Sequence, residues 1–322
     1  MQKAYGKAGG DDVYTRLTGL WAMYETVDML AKSKNDYEQS RMPETPYNAS
    51  KVALLIEDRV MPSLAPLLLH FIYVLPPDWR FMFMGSIDSV AHINKSAAIR
   101  EHVTNGKLDL KYIPSNMSTA SQEMISRFLT SLWLYETVLR PAEWVLVFQT
   151  DSIICANSRR SIDDYLEFDW IGAPWNVSHH YGGNGGLSLR RVSSIIEVLR
   201  TQTRVDGSEP EDVWFSKRLA HRHGAKMANF TTSLSFAGET YAGVTADPSS
   251  VHGNFLDGAE DSHSAFYEPM GYHIGGSGTT FGSDIWGTPE LRNHIWNYCP
   301  EIKMILAMDA AKFIPDDCYI VW

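Results

Sequence analysis

Strand-like and helix-like segments alternate along the first half of this chain, and the alternation constrains its fold more than any other feature. Apolar runs typical of buried strands occur at residues 52–56, 80–84, 108–113 and 144–151. Helices are predicted between them, at 63–74, 96–104 and 121–139. Strands separated by helices favour a mainly parallel sheet with helices on both faces. The sequence therefore predicts an α/β fold, followed by a loop-rich half after Ser152.

Polar residues follow several of these strands. The run 144–148 ends on Gln149, Asp151 and Ser152, while Glu57 and the pair Gly85 and Ser86 follow earlier strands. Right-handed crossovers bring the ends of parallel strands to one edge, where open α/β sheets bind ligands. An ordinary strand-to-turn junction also favours Asp and Ser, so this pattern alone leaves both interpretations open.

Composition excludes several classes of protein. The chain has 322 residues, of which 44% are hydrophobic and 20% charged, as in a folded globular protein. A formal net charge of -10 argues against nucleic acid or an anionic membrane as partner. No apolar run reaches the about 20 residues that a membrane span needs. Three cysteines without metal-type spacing are expected to be reduced thiols.

The chain is expected to contain an N-terminal helical extension at 1–50, with a helix at 14–31, and a single domain at 51–322. Within that domain, 51–152 is the predicted nucleotide-binding half and 153–322 the acceptor half. The expected compartment is the cytoplasm, while a membrane anchor absent from this chain would instead place the protein in the Golgi.

A glycine cluster at 182–186 precedes the predicted strand 187–190. A dinucleotide-binding fingerprint lies between a strand and a helix, so this cluster is not one. Glycines allow a positive φ or the close approach of a ligand to the backbone. A tight turn and a binding loop both remain open.

Acidic residues begin the helix predicted at 210–222. A capping box, with Ser208 as N-cap and Glu211 as its acid, would explain Ser208 and Glu211. Asp212 is left over and is a candidate general base, although the helix dipole also favours acids at this position.

His273 lies in a glycine-rich loop and is a candidate metal ligand. An imidazole paired with the Asp151 carboxylate would suit Mn²⁺ or a similar divalent ion. His252 and His263 are competing candidates.

In order along the chain, these segments resemble nucleotide-sugar glycosyltransferases of the GT-A fold, a Rossmann-like α/β architecture. More specifically, the chain resembles the fungal and microbial family catalogued as DUF5672. The segments that carry the resemblance are VALLIE (52–57), FQTDS (148–152), WIGAPW (170–175), GGNGGLSLR (182–190), EDVW (211–214) and PMGYH (269–273).

The resemblance implies a role for each matching residue. Asp151 and His273 would bind Mn²⁺ or Mg²⁺, and Gln149 replaces the first acid of the Asp-x-Asp motif of GT-A enzymes. Asp212 would deprotonate the acceptor, with Glu211 beside it. The remaining residues implied for donor binding are Glu57, Arg59, Gly85, Ser86, Ser152, Gly183, Asn184 and Gly185.

The predicted function is that of a glycosyltransferase that moves a sugar from a nucleotide diphosphate sugar, expected to be a UDP-sugar, to a hydroxyl acceptor, with metal assistance and inversion. Two alternatives remain: a GT-A-like module that binds sugar nucleotides or glycans with little catalysis, and a glycoside hydrolase that pairs Glu211 or Asp212 with Asp261. Residues 238–287 are expected to cover the acceptor, with Phe255, Phe266 and Tyr267 exposed.

Overall fold

The computed structural model describes residues 46–175, 182–242, 244–245, 254–255, 266–279 and 281–306. The helix predicted at 14–31 lies outside these ranges, as do His252, Asp261 and His263. The N-terminal extension and the division into two halves therefore stay predictions.

A six-stranded sheet forms the centre of the molecule, in the order β3-β2-β1-β4-β7-β6. Its strands are β1 (Lys51–Glu57), β2 (Arg80–Gly85), β3 (Leu108–Tyr112), β4 (Trp144–Phe148), β6 (Trp170–Gly172) and β7 (Leu187–Arg191). The neighbours among β3, β2, β1 and β4 pair in parallel, and β7 pairs antiparallel with both β4 and β6. The sheet is mainly parallel, as the sequence predicts.

Two smaller sheets complete the strands. The strands β5 (Ser152–Ile154), β8 (Ala237–Gly238) and β11 (Gly271–His273) form a three-stranded sheet in the order β5-β11-β8. The strands β9 (Val244–Thr245) and β10 (Asn254–Phe255) form an antiparallel pair. The chain thus leaves the central sheet after β4 and enters the three-stranded sheet after three intervening residues.

Helices connect the strands. The α-helices are α1 (Leu64–Val74), α2 (Ile87–Ile93), α3 (Ala97–Thr104), α4 (Gln122–Leu129), α5 (Val192–Thr201), α6 (Glu211–Ala220), α7 (Phe230–Phe236), α8 (Gly275–Gly278), α9 (Ser283–Trp286) and α10 (Pro289–Tyr298). A π-helical turn (Leu134–Val138) and two 3-10 helices (Ile162–Tyr165 and Pro300–Met304) also occur.

The central sheet is covered on both faces, because successive side chains of a strand point to opposite sides. Leu55 and Phe83 belong to the core shared with α1 and α2, whereas Leu54 and Met82 belong to the core shared with α4, α5 and α6. Burial on both faces explains why these strands are nearly continuous apolar runs. The α/β class with flanking helices is therefore confirmed.

The prediction of one helix over 121–139 is wrong. Helix α4 ends at Leu129, where the Thr130 hydroxyl donates to Ser126 O at 2.7 Å and the Tyr135 hydroxyl donates to Leu129 O at 2.9 Å. Hydroxyl groups that bond to the preceding turn compete with the helical backbone bonds. The chain resumes as the π-helical turn.

A strand end and a short helix near the sheet edge also differ from the prediction. The fourth strand ends at Phe148 and not at residue 151, because 149–151 form the turn into β5. Helix α2 was not predicted; Ser86 caps it by accepting a hydrogen bond from Ser89 N at 3.0 Å. The strand end is an element boundary, where apolar periodicity carries little information, whereas the seven residues of α2 are too few to show a clear period.

The expectation of reduced cysteines is wrong for two of the three. A disulfide joins Cys155, directly after β5, to Cys299, directly after α10. Such bonds persist mainly in oxidising compartments. Within the described ranges, no helix is both long enough and apolar enough to cross a membrane.

Candidate active site

A polar cleft of about 340 Å³ lies where β4 ends. Its volume falls in the range of about 300–1,000 Å³ that small-molecule sites occupy. The residues that line it are Gln122, Ile125, Ser126, Gln149, Asp151, Asn184, Gly185, Gly186, Pro210, Glu211, Asp212, Glu239, His273, Gly275 and Gly276. Acids and amides from five separate segments of the chain therefore converge on one space.

Asp151 and His273 are neighbours because β11 pairs antiparallel with β5. His273 lies opposite Ser152, and Ile274 N donates to Asp151 O at 2.8 Å. The His273 Nε2 and Asp151 Oδ1 atoms are 3.5 Å apart, which is too long for a good hydrogen bond. Nε2 is a buried nitrogen without a hydrogen-bond partner among the residues that the structure describes. Two groups predicted to act together are thus side by side.

The electrostatic environment of His273 is set by two carboxylates. Burial lowers its pKa, but Asp151 and Glu239 outweigh burial and raise the pKa of His273 to about 9. Glu239 Oε1 lies 3.1 Å from His273 Nδ1. In the described part of the chain, no group of three or more His, Cys, Asp or Glu side chains is arranged to hold a metal ion.

Glu239 is a cleft residue that the sequence did not reveal. It follows β8, a strand of two residues that pairs in parallel with β11. A strand of that length gives no periodic pattern. Its only sequence signal is an acid between Gly238 and Gly243, a pattern that is common in loops.

The glycine cluster combines both functions that the sequence left open. Gly182 and Gly183 have φ values of 94° and 155°, and a Cβ on Gly183 would lie 2.5 Å from Gly172 O. These two glycines are therefore explained by a tight turn and close packing. Gly185 and Gly186 instead line the cleft, so that end of the cluster borders a ligand-sized space.

Gly186 leaves room for the side chains at the cleft floor. A Cβ there would lie 2.2 Å from His273 Nε2 and 2.8 Å from Gln149 Oε1. Gln149 N donates to Gly186 O at 2.8 Å, which ties the end of β4 to the glycine cluster. The Gln149 side chain itself faces the cleft beside His273.

Asp212 reaches the cleft from the first turn of α6. Gly185 N donates to its Oδ2 at 3.0 Å, and Val213 N donates to its Oδ1 at 2.8 Å. Burial raises the pKa of Asp212, against the lowering effect of these two backbone donors. A carboxylate with a raised pKa is a stronger base, and the two N–H groups fix its orientation.

The capping-box interpretation of Glu211 is wrong. Pro210 precedes α6 without a side-chain capping bond, and the buried Ser208 hydroxyl has no partner within the described ranges. Glu211 Oε1 instead accepts a hydrogen bond from Arg190 Nη2 at 2.7 Å, in a buried ion pair. Burial raises the pKa of Glu211 to about 7, against the lowering effect of Arg190. The acid at the helix start is used to pair a buried guanidinium.

Glu57 and Arg59 lie at the same sheet edge but do not line the cleft. Arg59 Nη2 donates to Glu57 Oε2 at 2.7 Å, and Glu57 raises the pKa of Arg59. Glu57 is buried, whereas the Arg59 side chain is 59% exposed. The exposed guanidinium is the part of this pair that is open to a ligand.

Three other predicted residues use their groups inside the protein. The Ser86 hydroxyl donates to Asp58 O at 2.7 Å, and the Ser152 hydroxyl donates to Gly186 O at 2.7 Å. A Cβ on Gly85 would lie 2.2 Å from Ser89 Oγ. Their contribution to donor binding stays a prediction.

The expected exposed acceptor surface is only partly described. Tyr267, predicted to be exposed, is buried and its hydroxyl donates to Leu234 O at 2.7 Å. Phe266 is half-buried and stacks on His294 with ring centroids 4.3 Å apart. The Phe255 side chain lies outside the described residues.

Three solved structures that resemble this chain are glycosyltransferases. A mannosyltransferase from Pyrobaculum calidifontis, in complex with GDP-Man and Mn²⁺, is 11% identical with a TM-score of 0.39, over 66% of this chain and 66% of that one. Core-mannan synthase A from Aspergillus fumigatus, in an Mn/GDP form, is 8% identical with a TM-score of 0.34, over 51% and 63%. The glycosyltransferase GlyE of Streptococcus pneumoniae is 13% identical with a TM-score of 0.33, over 52% and 42%.

This chain spans less than two thirds of each of those three chains. Scores this low do not establish a shared fold, so the α/β class rests on the strand order described above. No curated protein shows significant sequence similarity to this chain. Over residues 107–252, which make up less than half of its length, the chain matches the model of the family described as "Protein of unknown function (DUF5672)", and this match confirms the resemblance drawn from its sequence.

Proposed function

We propose that this protein is a GT-A-like glycosyltransferase that moves a sugar from a nucleoside diphosphate sugar to a hydroxyl acceptor, with metal assistance and inversion. The observation that carries the proposal is the convergence of Asp151, His273 and Asp212 on one cleft. A group transfer of this kind requires charge compensation at the diphosphate and a base at the acceptor. The cleft offers residues for both tasks.

The chemistry of Asp151 and His273 fits a divalent cation. A carboxylate oxygen and an imidazole nitrogen suit Mn²⁺, and the buried Nε2 has no other partner. A bound cation would offset the charge of the leaving diphosphate. Gln149 supplies an amide where the motif of GT-A enzymes has an acid, so this site would hold its ion with one negative charge fewer. We infer modest affinity for the free metal and stronger binding together with the nucleotide.

Asp212 is the proposed general base. Its carboxylate takes the proton of the acceptor hydroxyl while that oxygen forms its bond to the anomeric carbon and the nucleoside diphosphate leaves. A single displacement of this kind inverts the anomeric configuration. Backbone donors at Gly185 and Val213 hold the carboxylate during the step. Glu211 is paired with Arg190, so we place it beside the reacting groups and not among them.

The alternative of a binding module is favoured by one observation, the neutral Gln149 at the position of the first acid of the GT-A Asp-x-Asp motif. Thermal-shift measurements with UDP and GDP, each with and without Mn²⁺, test nucleotide binding for both hypotheses. Turnover of UDP-sugars and GDP-sugars then separates them. We expect Asp212→Asn to retain nucleotide binding and lose at least 100-fold in turnover, within the usual contribution of about 10²–10⁴ from a positioned base.

Asp109→Asn is the matched control, since Asp109 does not line the cleft. Its Oδ2 lies 2.7 Å from Arg80 Nη2 in an ion pair. This variant should bind and turn over donor like the wild type. If wild type and Asp212→Asn bind nucleotide but show equally negligible sugar transfer and donor hydrolysis, only the binding-module hypothesis is left. If neither UDP nor GDP stabilises the wild type, transfer from a UDP-sugar or GDP-sugar is refuted and, of the two hypotheses, only a module that binds glycans is left.

The compartment is a separate proposal. The Cys155–Cys299 disulfide favours an oxidising compartment, such as the secretory pathway, over the cytoplasm expected from the sequence. Mass spectrometry of the alkylated, non-reduced protein purified from its own cells tests this. Free thiols at both positions would instead support the cytoplasm.

A further inference from the structure

Glu239 has a fixed place beside His273. Strands β8 and β11 run in parallel with Gly238 opposite Tyr272, so the next residues along both strands, Glu239 and His273, are also neighbours. Gly282 N donates to Glu239 O at 3.1 Å, which anchors the backbone on the other side. The Glu239 side chain is only 16% exposed. Its position is therefore set by strand register and not by a free loop.

The Glu239 carboxylate contacts the imidazole on the side away from Asp151. Its Oε1 accepts from His273 Nδ1 at 3.1 Å and from Asn184 Nδ2 at 3.2 Å. A carboxylate cannot donate, so the Nδ1 atom must carry a proton. In the neutral ring, the free lone pair then lies on Nε2, the atom that is 3.5 Å from Asp151 Oδ1.

Asp151 and Glu239 are thus placed at opposite nitrogens of one ring. One ion bound at Nε2 beside Asp151 would have the imidazole between itself and the Nδ1 partner. Histidines that bind metals commonly donate their second nitrogen to a carboxylate, which fixes the tautomer and orientation of the ring. The geometry suits this outer role better than that of a third ligand.

We propose that Glu239 is a positioning residue that holds His273 with Nε2 directed at Asp151 and so preforms the protein side of the metal site. This inference rests on the metal-binding part of the function proposed above. Asn184 shares the same carboxylate oxygen, and its own Oδ1 accepts from Gly186 N at 2.6 Å. The glycine cluster therefore braces Glu239 against movement.

Mn²⁺ binding to the full chain tests the proposal directly. Free Mn²⁺ is followed by electron paramagnetic resonance during titration of the wild type, Glu239→Ala, Glu239→Gln and Asp151→Ala. We expect Glu239→Ala to raise the Kd by about 10- to 100-fold, as loss of such partners commonly does. Glu239→Gln retains an acceptor for Nδ1 and should lose less. Glu136→Gln, at an exposed pair with Arg200, is the control and should leave the Kd unchanged.

A second measurement follows the tautomer without any metal. Long-range ¹H–¹⁵N spectra of the metal-free wild type, at a pH above 9, should show His273 protonated at Nδ1. Glu239→Ala should populate both tautomers, and Glu239→Gln should preserve the Nδ1–H form. Thermal melts of each variant establish that it is folded.

The outcomes separate the inference from the function beneath it. Mn²⁺ binding that Asp151→Ala abolishes but Glu239→Ala leaves unchanged would refute the role of Glu239 alone. A wild type that binds no Mn²⁺, with or without UDP or GDP, would refute the metal-assisted reaction and the positioning role together. A wild-type His273 protonated at Nε2 would also refute the proposed orientation.

Discussion

Replacing Arg190 with methionine tests whether the buried ion pair behind the cleft supports the fold. Arg190 is fully buried, and its guanidinium lies 4.2 Å from the centre of the Trp170 ring. It donates to Glu211 Oε1 at 2.7 Å, to Gly185 O at 3.1 Å and to Ser188 Oγ at 3.0 Å. Methionine would fill part of the volume but provide no donor.

The expected loss follows from what remains. Without Arg190, the Glu211 carboxylate is buried without a counter-charge, and Gly185 O keeps only its bond from the Ser188 hydroxyl at 2.9 Å. Breaking a buried pair by removing one partner costs about 3–5 kcal/mol. Because about 1 kcal/mol shifts the melting temperature of a large domain by about 2–4 °C, a decrease on the order of 10 °C is expected.

The loss should depend on pH with a defined sign. Burial already raises the pKa of Glu211 to about 7, and removal of the guanidinium raises it further. At pH 5.5 the carboxyl group is then protonated and neutral, so the free energy lost relative to the wild type is smaller than at pH 8.5. The double variant Arg190→Met with Glu211→Gln buries no charge and should recover part of the loss.

Urea unfolding at pH 5.5 and 8.5 gives these free energies. The matched control is Arg200→Met, because Arg200 pairs with Glu136 on the surface, where such pairs contribute about 0–1 kcal/mol. The reasoning would be refuted by a loss for Arg190→Met as small as that of the control. A loss of equal size at both pH values would also refute it.

Three further predictions concern other parts of the structure. Gly186→Ala should displace His273 and weaken Mn²⁺ binding in a titration, since the new Cβ would lie 2.2 Å from His273 Nε2. By contrast, the Cβ of Gly224→Ala would meet no described atom within 4 Å. Because the φ of Gly224 is 75°, this variant should lower the stability by only about 1 kcal/mol, as measured by thermal melting. In EDTA, His273 should contribute about 3 kcal/mol of stability below pH 6.5, because its pKa is raised to about 9 in the folded state. This contribution should be lost as the pH rises through 9. A constant difference in unfolding free energy between wild type and His273→Gln from pH 6 to 10 would contradict this. Reduction of the Cys155–Cys299 disulfide, which joins residues separated by 144 positions, should lower stability by about 2–5 kcal/mol, and an unchanged melting temperature in dithiothreitol would contradict it.

Strands β1, β2 and β4 of the central sheet could be predicted because they are buried on both faces. Each strand is an apolar run ended by a turn, and the helices between them carry helical spacing. The break after Leu129 escaped prediction since Ile125, Phe128 and Leu132 keep apolar spacing across it. At that boundary the Thr130 hydroxyl bonds to a backbone carbonyl, a contact that periodicity does not report.

The cleft was predictable in part for a related reason. Gln149, Asp151 and Asp212 follow or begin regular elements, so topology brings them to one edge. The position of Glu239 depends on a two-residue strand. The local sequence pattern predicts a capping role for Glu211, because its true partner, Arg190, is 21 residues away. Contacts between distant segments determine these roles, and a local pattern does not contain them.

The glycine cluster joins the two sides of the proposed site, and this arrangement makes a further coupling testable. Gly185 N holds Asp212 at 3.0 Å on the base side, while Asn184 holds Glu239 at 3.2 Å on the metal side. Residues that share partners show non-additive effects, commonly of 0.5–3 kcal/mol. The free energies of Mn²⁺ binding lost in Asn184→Ala and in Glu239→Ala should therefore not sum to the loss in the double variant. Strict additivity would mean that Asn184 acts on the cleft independently of Glu239, and the glycine cluster would then not brace the metal side.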